Sequence, residues 1–224
     1  MKHIKSLAAI LCVAGLVGSL HLITAQPDER KGDWQKPDMV ELVKLDSTIK
    51  LDVRYATINN FMKRRMYSQA AAFLQRPAAE ALVRAHKMLA RNGYGVVVFD
   101  GYRPWSVTLD FWRKTPRSKR KFVANPRTGS RHNRGCAVDC SLYDLRTGKE
   151  VEMPSPFDDL TVKAAANYTG GTAGQRSARR TLRTALESQG FSVNPVEWWH
   201  FDYRDWKEYR VMDVPFDSLQ RERK

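Results

Sequence analysis

Two short stretches concentrate the residues able to hold a metal and move protons. The first is Ser130-Arg131-His132-Asn133-Arg134-Gly135-Cys136-Ala137-Val138-Asp139, a polar turn that runs into an apolar strand carrying one carboxylate. The second is Val196-Glu197-Trp198-Trp199-His200-Phe201, which sets a carboxylate and an imidazole among aromatics. A charge in such surroundings is costly unless it is paired or bound to a cation. For Asp139 two readings stand level, a metal ligand or the partner of an arginine. Two histidines and one aspartate are a normal ligand set for catalytic zinc. Three protein ligands leave a fourth position open, whereas structural zinc sites close with four ligands and are usually cysteine-rich. Bound zinc draws the pKa of a water toward ~7. A neighbouring carboxylate, Glu197, can then take the proton and return it to a leaving amine. His86 is the one other histidine beyond residue 25. It lies mid-helix among Arg84 and Lys87, and is expected to be an ordinary exposed or half-buried side chain.

Spacing constrains how these residues can meet. Glu197 and His200 differ by three, so a regular strand would turn them to opposite faces. Glu197 is therefore expected at the start of the strand, after the Asn194-Pro195 turn, or re-aimed by a bulge. Asp139 has the opposite parity to Cys136, Val138 and Cys140, so it can face a metal while those three face the core.

Ser130-x-His132-x-x-Gly135-x-Ala137-x-Asp139, followed by Glu197-Trp198-Trp199-His200, resembles the zinc D-alanyl-D-alanine dipeptidases of the vancomycin-resistance (VanX) type. Gly101-Tyr102-Arg103-Pro104 and Tyr55-Ala56-Thr57-x-Asn59-Asn60-Phe61 look like the same family. The resemblance spans roughly Asp52 to Phe216, and the order and spacing of the pieces make it specific. It implies a hedgehog/D-Ala-D-Ala peptidase-like fold and one Zn2+ per chain on His132, Asp139 and His200. It implies Glu197 as the catalytic base and Arg103 as the group that stabilises the tetrahedral oxyanion. Asp158, in Phe157-Asp158, matches the acidic residue that receives the substrate's free amino group, and Ser130 is expected to touch substrate. The implied substrate is a small D,D-dipeptide. Cys136 and Cys140 depart from the small or aliphatic residues expected at their places.

The elements that must position these groups are partly legible. Pro77 to Asn92 reads as a helix, with Leu82, Ala85 and Leu89 on one face and Pro77 in its first turn. Tyr94 to Phe99 reads as a buried strand ending at the Asp100–Pro104 turn, and Leu51 to Tyr55 as another strand. Trp105 to Arg113 is a short helix. Thr115 to Gly129 is basic, lacks apolar periodicity and reads as a loop. Cys136 to Tyr143 is a strand followed by a hairpin around Thr147-Gly148-Lys149. Gln175 to Gln189 is a second helix, and Val196 to Tyr203 a last strand. Helices and strands mix without βαβ alternation. The expected class is α+β, a small antiparallel sheet with flanking helices.

At the amino end, Lys2 and Lys5 precede the apolar Leu7–Ile23, and polarity returns at Gln26. That order reads as a secretory signal peptide over 1–25 cut near Ala25, against the alternative of an uncleaved anchor. Residues 26–50 then form an amino-terminal extension packing on a catalytic domain over 51–224. The expected location is the periplasm or cell envelope. The 224-residue chain carries a formal charge of +14, and loss of Lys2 and Lys5 leaves +12. Such a charge draws a protein to polyanions, here anionic envelope polymers; nucleic acid is excluded by compartment. The sequence carries no signal for an oligomeric state. Cys136 and Cys140, four residues apart on a strand, would lie about 13 Å apart, too far for a disulfide, so both are expected as buried thiols. The leading function is hydrolysis of D-alanyl-D-alanine in wall recycling. The alternatives are a D,D- or L,D-carboxypeptidase acting on longer wall peptides and a non-catalytic zinc-containing wall-binding module.

Overall fold

The computed structural model describes residues 26–27 and 33–221. The expected leader over 1–25 lies outside them. A five-stranded sheet organises the chain. Its strands are β2 (Lys50–Leu51), β4 (Tyr94–Asp100), β5 (Ala137–Asp144), β6 (Phe191–Asn194) and β7 (Glu197–Tyr203), in the order β2-β4-β5-β7-β6. All neighbours are antiparallel except β2, which runs parallel to β4 along one edge. A second, two-stranded antiparallel sheet joins β1 (Met39–Glu41) to β3 (Phe73–Gln75). The strand expected over Leu51–Tyr55 is thus displaced. Pairing stops at Leu51, and Arg54–Ala56 closes into a 3-10 turn.

The helices are α1 (Leu42–Leu45), α2 (Arg76–Ala90), α3 (Trp105–Lys114), α4 (Ala173–Glu187) and α5 (Phe216–Arg221). In α2, Pro77 sits in the first turn, where its missing N–H costs nothing. Ala78, Leu82, Ala85 and Leu89 form its buried stripe. The start of α4 is earlier than expected because Thr172 and Gln175 form a reciprocal capping box. Helices α2 and α4 touch each other, α2 lies on β4, and α4 lies on β5, β6 and β7.

His86 departs from expectation. It is buried, accepts the Val96 N–H at Nδ1 (3.0 Å) and meets Thr48 Oγ at Nε2 (2.9 Å). Burial pushes its pKa down, so it serves as a neutral tie between α2 and β4. Cys136 and Cys140 are both free and buried, as the spacing argued. Burial pushes both thiols up, which keeps them protonated and unreactive. No helix among the described residues is long and apolar enough to cross a membrane.

Candidate functional site

The register of the central strands builds the site. Asp139 on β5 stands opposite His200 on β7 and opposite Asp100 on β4. Directly opposed residues project on the same side of a sheet, so three ionisable side chains form a row across neighbouring strands. His132 enters from the 3-10 turn His132–Arg134 just before β5. That turn ends at Gly135 in the left-handed region (φ 69°), where a Cβ would also lie 2.7 Å from Met39 Sδ. Gly101 is equally constrained, because a Cβ there would lie 2.7 Å from the Phe73 carbonyl.

The parity conflict between Glu197 and His200 is resolved by an irregularity. Glu197 is the first residue of β7, opposite Asn194. Val193, the next residue of β6, pairs with Phe201. Trp198, Trp199 and His200 are therefore accommodated between two pairs that are adjacent on the partner strand. Glu197, Trp199, His200 and Asp202 all line the same cavity.

His132 Nε2, His200 Nδ1 and Asp139 Oδ1 form a tight triangle. The two nitrogens are 3.0 Å apart, His200 Nδ1 lies 3.0 Å from Asp139 Oδ1, and His132 Nε2 lies 3.3 Å from it. Ligands about 2.0–2.2 Å from zinc in a tetrahedral shell stand roughly 3.3 Å from one another, so the triangle has the dimensions of one tetrahedral face. The outer nitrogens fix the tautomers. His132 Nδ1–H donates to the Gly101 carbonyl (2.6 Å), and His200 Nε2–H donates to Asp202 Oδ1 (2.9 Å). Each imidazole then turns a lone pair into the triangle. Two lone pairs and a carboxylate oxygen at 3 Å repel one another unless a positive charge sits between them. Burial favours the neutral form of His200, yet Asp202 and Asp139 outweigh it and draw its pKa well up. Burial also raises Asp139, but His132 and His200 hold it well below the usual carboxylate range. The three residues could hold a metal cation, and their nitrogen and oxygen donors suit a borderline ion such as zinc.

Around this corner the buried Arg103 is held by two bonds to Asp100 Oδ2, from Nε (2.9 Å) and Nη2 (2.6 Å). Asp100 also accepts from Tyr67 Oη (2.8 Å) and its neighbour Gly101 N–H (2.9 Å). Burial works against a charge on Arg103, but Asp100 outweighs it and keeps the guanidinium protonated. Its carbon lies over the rings of Phe111 (4.8 Å) and Tyr55 (5.3 Å). Glu197 Oε2 accepts from Asn194 Nδ2 (2.8 Å), and burial pushes its pKa up to about 8. Asp158 accepts from Tyr55 Oη (3.0 Å) and the Phe61 N–H (3.2 Å), and burial pushes it up to about 7. Ser130 Oγ accepts the His132 N–H (3.2 Å), which pins the turn presenting that histidine.

All seven residues singled out in the sequence (Arg103, Ser130, His132, Asp139, Asp158, Glu197 and His200) line one cavity of about 320 Å³. Sequence reasoning did not give roles to Asp100, Tyr55 or Asp202. For Asp202 a signal existed, since it shares the strand parity of His200. The basic segment read as a plain loop also departs from expectation. Arg117–Phe122 forms a 3-10 helix, and Lys121 to Ala124 wall the cavity.

Residues 35–217 match the Peptidase_M15 family model, described as D-ala-D-ala dipeptidase. The chain belongs to this family. It is a peptidase, with an α+β fold. D-alanyl-D-alanine dipeptidases of Enterococcus faecium and Enterococcus faecalis are 33% and 31% identical to it, over 70% and 75% of this chain and 87% and 88% of theirs. The D-alanyl-D-alanine dipeptidase of Escherichia coli K12 is 26% identical, over 81% of this chain and 93% of its own. Among solved structures, the LdcB LD-carboxypeptidase covers 88% of this chain and 81% of its own at 17% identity, with a TM-score of 0.43.

Proposed function

We propose that the protein hydrolyses the D-alanyl-D-alanine dipeptide with one zinc ion held by His132, Asp139 and His200. The observation that carries this reading is the convergence of Arg103, Asp158 and Glu197 with that ligand triangle on one cavity of about 320 Å³. This is the low end of the range for ligand pockets, suited to a small substrate rather than a folded protein. Zinc bound there supplies a Lewis acid and lowers the pKa of an attacking water.

The rest falls to the protein's own groups. Glu197, fixed by Asn194, accepts the proton from the attacking water at a carboxylate oxygen and returns it to the leaving amine. A cation beside Glu197 offsets the burial that raises its pKa, so the base is ionised when needed. Arg103, held by Asp100 and lining the cavity, donates to the developing oxyanion. Each Asp158 oxygen accepts one bond from the protein and keeps a lone pair for the substrate ammonium. That requirement favours a free dipeptide over a longer chain.

With the apolar leader read over 1–25, the proposed place of action is the cell envelope and the proposed role is recycling of wall dipeptides. The test is release of free D-alanine from the dipeptide by purified protein. Chelation should abolish it and zinc should restore it. Unchanged release after the metal is stripped would overturn the mechanism. Faster release from an N-acylated wall peptide than from the dipeptide would move the assignment to carboxypeptidase.

A further inference from the structure

The two loops that meet at Asp158 carry the most exposed large apolar side chains among the described residues. Ile58 and Val162 are 72% and 71% exposed, and no other exceeds 43%. Single apolar residues scattered over a surface are ordinary, but these two are brought together. The Phe61 N–H donates to Asp158 Oδ2 (3.2 Å), and Phe61 and Met62 line one groove with Leu160 and Thr161. Ile58 therefore stands just before one side of this contact and Val162 just after the other. Both loops are tied by their own hydrogen bonds. The buried Asn60 amide donates to the carbonyls of Arg54 (3.1 Å), Thr57 (2.8 Å) and Arg64 (2.9 Å), and Thr161 caps the turn Val162–Ala164. Cations surround them. The groove is lined by Lys63, Arg64, Lys114 and Lys119, and the adjoining hollow by Arg64, Arg65 and Arg113, all of them exposed. Beyond Asp158 the carboxylates lining these two hollows are Asp159 and Asp110, and Asp110 is engaged by Arg64 (2.7 Å). From Phe111 to Val138 the sequence contains no acidic residue.

We propose that this face docks on a bilayer containing acidic phospholipid, with the cations at the phosphate headgroups and Ile58 and Val162 entering the boundary between headgroups and acyl chains. A soluble phosphate polymer would use the cations alone. Aliphatic side chains held in water by ordered loops gain only where an apolar phase begins directly behind the negative charge, and a bilayer surface offers both. The two signals add. Each lysine or arginine close to an anionic surface strengthens binding roughly fivefold, and removal of aliphatic surface from water contributes independently of salt. The groove shares Phe61, Asp158 and Leu160 with the catalytic cavity, so docking sets that cavity beside the bilayer. The inference is independent of the reaction assigned to the cavity.

The test reads insertion at the two positions themselves, so that any contribution of residues 1–25 to vesicle binding is kept apart. Cys136 and Cys140 are buried. In the full chain carrying Cys12→Ser, Ile58→Cys or Val162→Cys therefore takes an environment-sensitive fluorophore at one place. On vesicles of phosphatidylcholine mixed with phosphatidylglycerol, both labels should shift to the blue and be quenched by a lipid-borne quencher. A label at Leu145→Cys, on the turn after β5, should do neither. Vesicles of phosphatidylcholine alone should leave all three labels in water, and so should inorganic polyphosphate. Titration of the label at position 162 gives the affinity of this face. The Lys63→Ala, Lys114→Ala, Lys119→Ala triple variant should weaken it about a hundredfold at low salt, and added salt should weaken the native face. Labels at 58 and 162 that stay in water on vesicles to which the protein binds would overturn the proposal. Equal shifts on the zwitterionic vesicles would overturn it too, as would an affinity unchanged in the triple variant. Binding of polyphosphate with no binding to either vesicle would replace the bilayer with a soluble polyanion.

Discussion

The catalytic cavity has two walls made by different means. One is carried by the sheet. Asp139 and His200 face each other on β5 and β7, Glu197 opens β7, and Arg103 is locked to Asp100 at the end of β4. The other is carried by connecting segments, which bring Tyr55, Phe61, Asp158, Leu160 and Lys121–Ala124 to the same cavity. Paired strands hold side chains to fractions of an ångström, which bond-making requires. Segments outside the sheet are freer to vary, and they suit the choice of ligand. The comparison assigns rate to the first wall and recognition to the second. Substitutions can pull these assignments apart.

The largest effect is expected at Glu197. Glu197→Gln keeps the shape and the bond to Asn194 Nδ2 is replaced by an amide contact, but no base remains. We expect kcat to fall by about 10²–10⁴-fold, with KM and bound zinc unchanged. Steady-state kinetics with metal analysis checks this. A change confined to KM would dissolve the distinction between the walls.

The metal-free protein should respond to pH through both walls at once. Asp158 and Glu197 are raised by burial to about 7 and about 8, against roughly 3.9 and 4.3 in an unfolded chain. An acid raised in the folded state keeps its proton there longer than in the unfolded state. Its stabilising contribution is therefore complete below about pH 4 and is lost as pH climbs through 7 to 8. His200, also raised, acts in the same direction. Asp139 is lowered, so its contribution is present above about pH 4 and is lost only in strong acid. Thermal melts of metal-free protein should show a loss of a few kcal/mol between pH 5 and 8.5, largely removed by zinc. Glu197→Gln and Asp158→Asn should each flatten part of the slope. A metal-free protein that gains stability over this range would contradict the burial argument.

Asp158→Asn tests the second wall alone. Both oxygen positions can still be filled, but the charge facing an ammonium is gone. Loss of a charge-assisted bond is worth about 1.5–3 kcal/mol, so kcat/KM for the dipeptide should fall about 10–100-fold, mainly through KM. An N-acetylated substrate has no ammonium to lose and should be affected much less. Equal losses on the two substrates would place Asp158 with the rate-determining wall.

The difference between the walls also explains what could be read from the sequence. Asp139 betrayed itself as a carboxylate within an apolar strand, and Glu197 with His200 by a spacing that no regular strand could satisfy. Both signals come from the strict period of a strand, and the irregularity they demanded is present between Val193 and Asn194. Asp158 carries no such signal. It sits in an irregular segment, and only resemblance marked it. Lys121 to Ala124 were invisible for the same reason, since a basic stretch without periodicity gives no hint that its fold returns to the cavity. The short parallel edge strand Lys50–Leu51 was also misjudged. Two residues are too few to show alternation, and their pairing depends on β4 more than forty residues later.

The smallest effect is expected one bond away from the metal corner. Asp202 accepts from His200 Nε2, and Arg131 lies 3.5 Å from its other oxygen. Burial alone would raise Asp202, but His200 and Arg131 hold it low, so it stays a charged acceptor. On the proposed zinc reading, its work is to fix the His200 tautomer and raise that ligand's basicity, which strengthens metal binding without touching substrate. Asp202→Asn can keep the hydrogen bond while losing the charge. Zinc affinity, measured by competition with a chelator, should therefore weaken by about tenfold. The kcat of zinc-saturated protein should change far less, and the KM for the dipeptide should not move. A KM shift without loss of zinc affinity would mean that Asp202 belongs to the recognition wall, despite its place on β7 two residues beyond His200.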